Sequence, residues 1–370
     1  MNRSMREANR KIFSYLKDYS EKSGVSFKFY NNQRIELEKE SQEWLKKLEI
    51  LAKQTSSLRL KFAFMKYKKN IYFVSIGLNI DSLDQANSID ENLLLHGLNR
   101  IPDNGGIFIA LVADLDIPIR SMIQPRQIVD EVFYDLEENQ IAKYDYQSIS
   151  KFFEPIQVYE ITNECRFIDN ECDQETLWRA SVFFIANLLN TDLNDFPMNF
   201  LDFKNSRQLF INLCLDGSSK ISYENLFYSL TSSSWKHSFL EIYRCIEWLF
   251  EIAFISLLYE NIQLKDLSFA NFNSLFKEFI GWKPREEDAL EKLFEKVSKD
   301  TLSYLELTKD NQTPSSFIYQ LRCSIVHFSP DPKKKVSFKD FKDNTWDNII
   351  SFCLMAVKEL YEYYDTYLFE

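Results

Sequence analysis

The period at which apolar residues recur changes partway along this chain, and that change constrains the fold more than any other feature. Leu58, Leu60, Phe62 and Phe64 alternate with polar or small residues, and so do Tyr72, Val74, Ile76 and Leu78. Alternation places one set of side chains on one face of an extended strand, and Lys68-Lys69-Asn70 between the runs reads as a turn. An antiparallel hairpin is expected. Beyond about residue 225 the pattern is helical, with apolar residues three and four apart. The 370 residues suffice for two domains. The expectation is an α+β N-terminal domain over 1–215 followed by an all-α helical bundle over 225–370, with the boundary in the serine-bearing stretch around 190–235.

Within the first part, residues 7–22 and 35–53 read as helices, the second from the spacing of Leu37, Trp44, Leu48 and Leu51. Further helices are expected near 126–137 and 175–190. Ile107 to Val112 is a short continuous apolar run after Asn104-Gly105-Gly106, which reads as a turn leading into a buried strand. Ile156 to Ile161 is a second such strand. His96 follows Leu93-Leu94-Leu95 at a helix end, where capping or packing is its expected role.

In the second part, Trp235 to Ile262 reads as one long helix and 270–281 as a shorter one. Pro284-Arg285-Glu286-Glu287-Asp288 opens a third, with proline and acids in the first turn as the helix dipole favours, running to about Leu307. Thr313-Pro314 supplies an N-cap and a first-turn proline for a fourth, which Pro330 is expected to stop. Trp346 to Leu368 makes a fifth. His237, at the start of the long helix, reads as a capping or packing residue.

Charge and cysteine content narrow the function classes. The net charge is −11; residues 225–370 hold 17 basic and 22 acidic side chains, and residues 1–224 hold 27 and 33. Neither half is basic, so any nucleic-acid binding must come from a local patch. The six cysteines form no C-x2-C pair, which argues against a zinc site, and several lie in apolar helical runs, as expected of reduced thiols in the cytoplasm. Seven glycines leave little material for a phosphate-cradling loop. The N-terminus has no apolar signal core, and no apolar run approaches the ~18 residues of a membrane span, so no membrane association is expected.

Histidine is scarce, at three residues. One of them lies in Leu321-Arg322-Cys323-Ser324-Ile325-Val326-His327-Phe328, late in the fourth helix of the bundle. Histidine moves protons near neutral pH and arginine holds charge that builds on phosphorus, so an Arg-x4-His pair suits metal-free phosphodiester cleavage. On an ideal helix Arg322 and His327 stand about 140° apart. Convergence then needs a reaching arginine, a loosened last turn, or a second protomer. Lys333, Lys334 and Lys335, with Lys339 and Lys342, follow the pair and form the one local run able to attract a phosphate backbone; a solvated loop is the alternative.

The segment Ile318 to Phe328 resembles the signature helix of HEPN (higher eukaryotes and prokaryotes nucleotide-binding) domains, and Phe239 to Leu249 resembles that family's first long helix. The resemblance covers about residues 225–370. It implies a HEPN-like bundle acting as a metal-independent endoribonuclease, with Arg322 and His327 catalytic and Glu247 as the acidic residue of the first helix. Glu247 would orient a group or tune the histidine; its alternative is an ordinary interhelical carboxylate. The resemblance also implies a homodimer with a composite cleft, an RNA substrate such as tRNA, no cofactor, and a role as a toxin or abortive-infection effector in anti-phage defence. A phage or host trigger would act through the N-terminal sensor or regulatory domain. Cys323 stands where the family commonly carries a polar residue such as asparagine, and a catalytically silent nucleotide- or partner-binding module fits the same residues.

Overall fold

The computed structural model describes residues 4–30, 32–54, 60–78, 86–134, 141–168, 171–189, 201–262, 268–280, 285–305, 312–327, 336, 338 and 341–368. By its own contacts the chain divides into two units, Met1–Leu177 and Trp178–Glu370. The first is α+β and the second helical.

The first unit opens with α1 (Met5–Ser20), as the sequence predicts, its buried stripe being Ile12, Phe13 and Leu16. A single helix over 35–53 is not what forms. The chain makes β1 (Arg34–Ile35), α2 (Lys39–Lys47) and β2 (Glu49–Lys53). Leu48 turns extended, at ψ 134°, and its neighbours pair antiparallel with β3 (Lys61–Tyr67). Pairing to β3 along one edge gives Glu49–Lys53 ladder partners and overrides a periodicity that is real only up to Leu48. β3 and β4 (Asn70–Ile76) form the expected hairpin in full antiparallel register, Phe64 opposite Phe73 and Phe62 opposite Ser75. Lys68 takes the left-handed conformation, φ 58°, in the turn. Leu58 lies outside the described residues.

After α3 (Ala86–Leu95) and β5 (Leu98–Arg100) comes the largest departure from expectation. The apolar run Ile107–Val112 is not a strand; it is the body of α4 (Gly105–Leu115). The Asn104 side chain accepts the N–H groups of Gly106 and Ile107 at 2.9 and 3.3 Å, which makes it an N-cap rather than a turn residue. Residues 105–113 are all buried, so this helix is apolar on every side and periodicity could not reveal it. Only glycine permits its approach to α2, because a Cβ on Gly106 would overlap the Ser41 carbonyl oxygen.

The short helix α5 (Pro125–Ile128) widens into a π turn over Val129–Phe133 and ends there. β6 (Lys143–Tyr144) pairs in parallel with β1, α6 (Tyr146–Ser150) follows, and β7 (Ile156–Ile161) forms where expected. The main sheet is antiparallel throughout, in the order β2-β3-β4-β7-β5. One face, with Val74, Ile76 and Val158, joins a core with Phe13 and Leu16 of α1 and Ile109 and Leu111 of α4.

The division between units falls within α7 (Gln174–Leu188), so α8 (Arg207–Asp216) belongs with the helices rather than with residues 1–177. Side-chain bonds explain why. Asp347 accepts the Asn205 N–H at 2.6 Å, the Ser206 N–H at 3.2 Å and the Ser206 hydroxyl, and Arg179 donates to the carbonyls of Cys214 and Gly217. Next come α9 (Tyr223–Leu230), α10 (Trp235–Glu247) and α11 (Phe250–Ile262). The expected single helix over 235–262 is thus interrupted at Trp248–Leu249, where the Leu249 N–H bonds to Ile246 three residues back. After α12 (Phe269–Ile280), the expected third helix is also divided, into α13 (Glu286–Phe294) and α14 (Lys299–Leu302). Ser298 caps the second piece while donating to Glu359. Then come α15 (Pro314–Val326), α16 (Asp343–Tyr363) and α17 (Asp365–Leu368).

Candidate active site

Helix α15 starts as its sequence dictates: the Thr313 hydroxyl accepts the Ser316 N–H at 3.2 Å and Pro314 occupies the first turn. Its end falls before Pro330. The last helical bond is His327 N–H to Cys323 O, 2.9 Å, and His327 itself is extended, φ −111° and ψ 131°. Leaving the helix swings the imidazole away from its ideal position. Arg322 Nη1 comes to 3.3 Å from His327 Nε2, so the two meet within a single chain through the loosened last turn. A guanidinium only donates, so Nε2 is the acceptor in this contact. After His327 the chain returns to α15 at Val336, whose N–H donates to Ser324 Oγ at 2.9 Å.

Two further helices hold the arginine. The N-terminus of α13 brings Glu286, whose Oε1 lies 3.1 Å from Arg322 Nε. Glu247, at the end of α10, stands 4.0 Å from Arg322 Nη2. Tyr243 lies one turn before Glu247 on α10 and donates its hydroxyl to Glu286 at 2.6 Å. The Arg322 side chain is 20% exposed, Glu286 23% and Glu247 46%. Partial burial works against the guanidinium's charge, but Glu286 foremost, with Tyr243, Cys323 and Glu247, outweighs it and keeps Arg322 above the usual arginine range. Burial, reinforced by the bond to and the charge of Glu286, pushes the Tyr243 phenol far up, so it stays a donor. Tyr319 is raised chiefly by burial and then by its bond with Cys323.

The structure brings together three of the residues singled out from sequence, Arg322, His327 and Glu247, and places Glu247 against the arginine rather than the histidine. Lys333, Lys334, Lys335 and Lys339 lie outside the described residues; Lys342 precedes the first residue of α16. Glu286 and Tyr243 escaped sequence reasoning. Glu286 is one of three first-turn acids, and nothing in one dimension separates it from Glu287 or Asp288. His96 bonds through Nδ1 to the Asn92 carbonyl at 2.9 Å, a local helix-end contact, and His237 is exposed in the first turn of α10. Burial pushes the Cys245 thiol up to about 12, and Cys214 and Cys353 higher still, which removes them as nucleophiles. Among the described residues no cluster of three His, Cys, Asp or Glu side chains could hold a metal ion, and no helix is long and apolar enough to cross a membrane.

Comparison of the chain with protein-family models, with curated proteins and with solved structures gives no match.

Proposed function

We propose that the helical unit is a HEPN-like, metal-independent endoribonuclease. The observation that carries the proposal is the 3.3 Å approach of Arg322 to His327, with Glu286 holding the guanidinium from behind. In this mechanism the 2′-OH of the RNA attacks the adjacent phosphorus and the 5′-oxygen leaves. His327 handles the proton as acid or base, and Arg322 stabilises the added negative charge on the phosphorane. The products are a 2′,3′-cyclic phosphate and a 5′-hydroxyl, and DNA, lacking the 2′-OH, is not cut. Lys333, Lys334 and Lys335 supply the local positive charge that attracts the phosphate backbone. A second protomer completes the cleft, and the α+β unit senses a phage or host trigger for an effector of the toxin or abortive-infection kind.

A second reading has a specific observation behind it. The three guanidinium nitrogens of Arg322 already face Glu286, Glu247 and His327, and Cys323 stands where a polar residue would help bind phosphate, as expected of a silent nucleotide- or partner-binding module. The two separate in one assay. The purified full chain, in EDTA, is given tRNA and a short RNA oligonucleotide, beside a DNA oligonucleotide of the same sequence. The nuclease cuts RNA to cyclic-phosphate ends, and His327→Ala and Arg322→Ala each slow it at least about 100-fold. Wild type that binds RNA without cutting it establishes the silent module, and cutting that both variants retain removes this site from the chemistry.

A further inference from the structure

The three guanidinium nitrogens of Arg322 are held unequally. Nε lies 3.1 Å from Glu286, which the Tyr243 hydroxyl fixes by donating to it at 2.6 Å. Nη1 meets His327 Nε2 at 3.3 Å. Nη2 faces Glu247 Oε1 at 4.0 Å, beyond the roughly 3.2 Å reach of an N–H···O bond. It makes no hydrogen bond among the described residues.

The two carboxylates differ in the same way. Glu286 is 23% exposed and has a second partner in Tyr243. Glu247 is 46% exposed at the last residue of α10, and among the described residues its carboxylate makes no hydrogen bond and no ion pair other than that with Arg322. Water and salt screen a half-exposed pair at this distance, so Glu247 is held weakly, whereas Glu286 is braced from its far side. One nitrogen of Arg322 therefore has its charge balanced while its two N–H groups stay without an acceptor in reach.

We propose that Nη2 of Arg322 is the phosphate-binding nitrogen of this site and that Glu247 is its displaceable counter-ion rather than a catalytic group. Glu286 and Tyr243 are positioning residues that keep the arginine in place while RNA phosphate takes over from Glu247. Arginine binds phosphate best through N–H···O bonds on its planar edge, and Nη2 is the nitrogen with donors to spare. A carboxylate beside it repels an incoming phosphate oxygen and must move or be outcompeted. Glu247 thus sets affinity for the backbone without touching the reacting atoms. The inference rests on the reading that Arg322 meets an RNA phosphate, which the nuclease and the silent nucleotide-binding module share.

Fluorescence anisotropy of the full chain with a 2′-O-methyl RNA oligonucleotide, which 2′-OH attack cannot cut, tests it, with circular dichroism confirming that each variant folds. Glu247→Gln binds at least about threefold tighter than wild type, and adding Arg322→Ala removes the gain. Glu287→Gln, which takes the same charge from an exposed neighbour of Glu286, changes binding less than about twofold. On unmodified RNA that wild type cuts, Glu247→Gln lowers KM and keeps kcat within about fivefold. A smaller gain in binding, equal tightening by Glu287→Gln, a gain that survives Arg322→Ala, or a larger fall in kcat overturns the inference. Should Arg322→Ala weaken binding while Glu247→Gln fails to tighten it, this inference alone falls. Should neither variant alter binding, the site does not meet phosphate, and the reading beneath falls with it.

Discussion

Asp347 in the helical unit and Gln157 in the sheet unit are both buried polar side chains, at 1% and 4% exposure, and they are treated in opposite ways. Asp347 has three donors, two backbone N–H groups and a hydroxyl, all from Asn205 and Ser206. Gln157 has none. The difference follows from charge. An ionised carboxylate cannot be desolvated without compensation, whereas a neutral amide can be, at a bearable cost. A buried carboxylate therefore reports how a fold is tied together, whereas a buried amide can be left unpaired. The Arg322 site belongs to the first kind: Tyr243, Glu286 and Glu247 have already organised the cation.

That contrast breaks or sharpens by mutation. The largest effect is expected at Asp347→Ala, which leaves the Asn205 and Ser206 donors buried and unmet; urea unfolding should show a loss of about 3 kcal/mol. A loss under about 1 kcal/mol would mean the carboxylate is not what binds α8 to α16. Gln157→Leu should act the other way. It removes two desolvated, unpaired amide atoms, so stability should rise by about 1 kcal/mol, and a fall of that size would show that the amide is satisfied in solution.

A smaller, pH-dependent effect is expected at Glu359. Burial pushes its carboxyl up, but bonds from the Ser298 N–H, the Thr301 hydroxyl and the Ser298 hydroxyl outweigh it and hold the group below the usual glutamate range. A depressed carboxylate contributes stability above its unfolded value, about 4.3, and loses it as pH falls through the folded value. Wild type should therefore exceed Glu359→Gln in stability at neutral pH, and the gap should close in denaturant titrations below about pH 4. A gap independent of pH would contradict the ionic role.

Elements with a local signature were legible. The β3–β4 hairpin followed from alternation, and α15 began where Thr313-Pro314 said it would. Helix α4 was not legible, because a run buried on every side has no period, and Asn104 reads equally as a turn or a cap. At the candidate site, the chemistry of Arg322 and His327 stood out by residue type and spacing. Their meeting did not, since it depends on His327 leaving the helix at Val326.

The sequence by itself determined the order of an α+β part and a helical part, the capped helix with its Arg-x4-His pair, and the scarcity of histidine that draws attention to it. Only the tertiary structure decided that Glu286, 43 residues from Tyr243, bonds it and braces the arginine. It also decided that the Gln157 amide, opposite Ser75 where β4 and β7 pair, is buried without a partner. The physical reason is one of range: periodicity, caps and turns act over a few residues, whereas charge pairing and desolvation depend on neighbours that only the folded chain supplies.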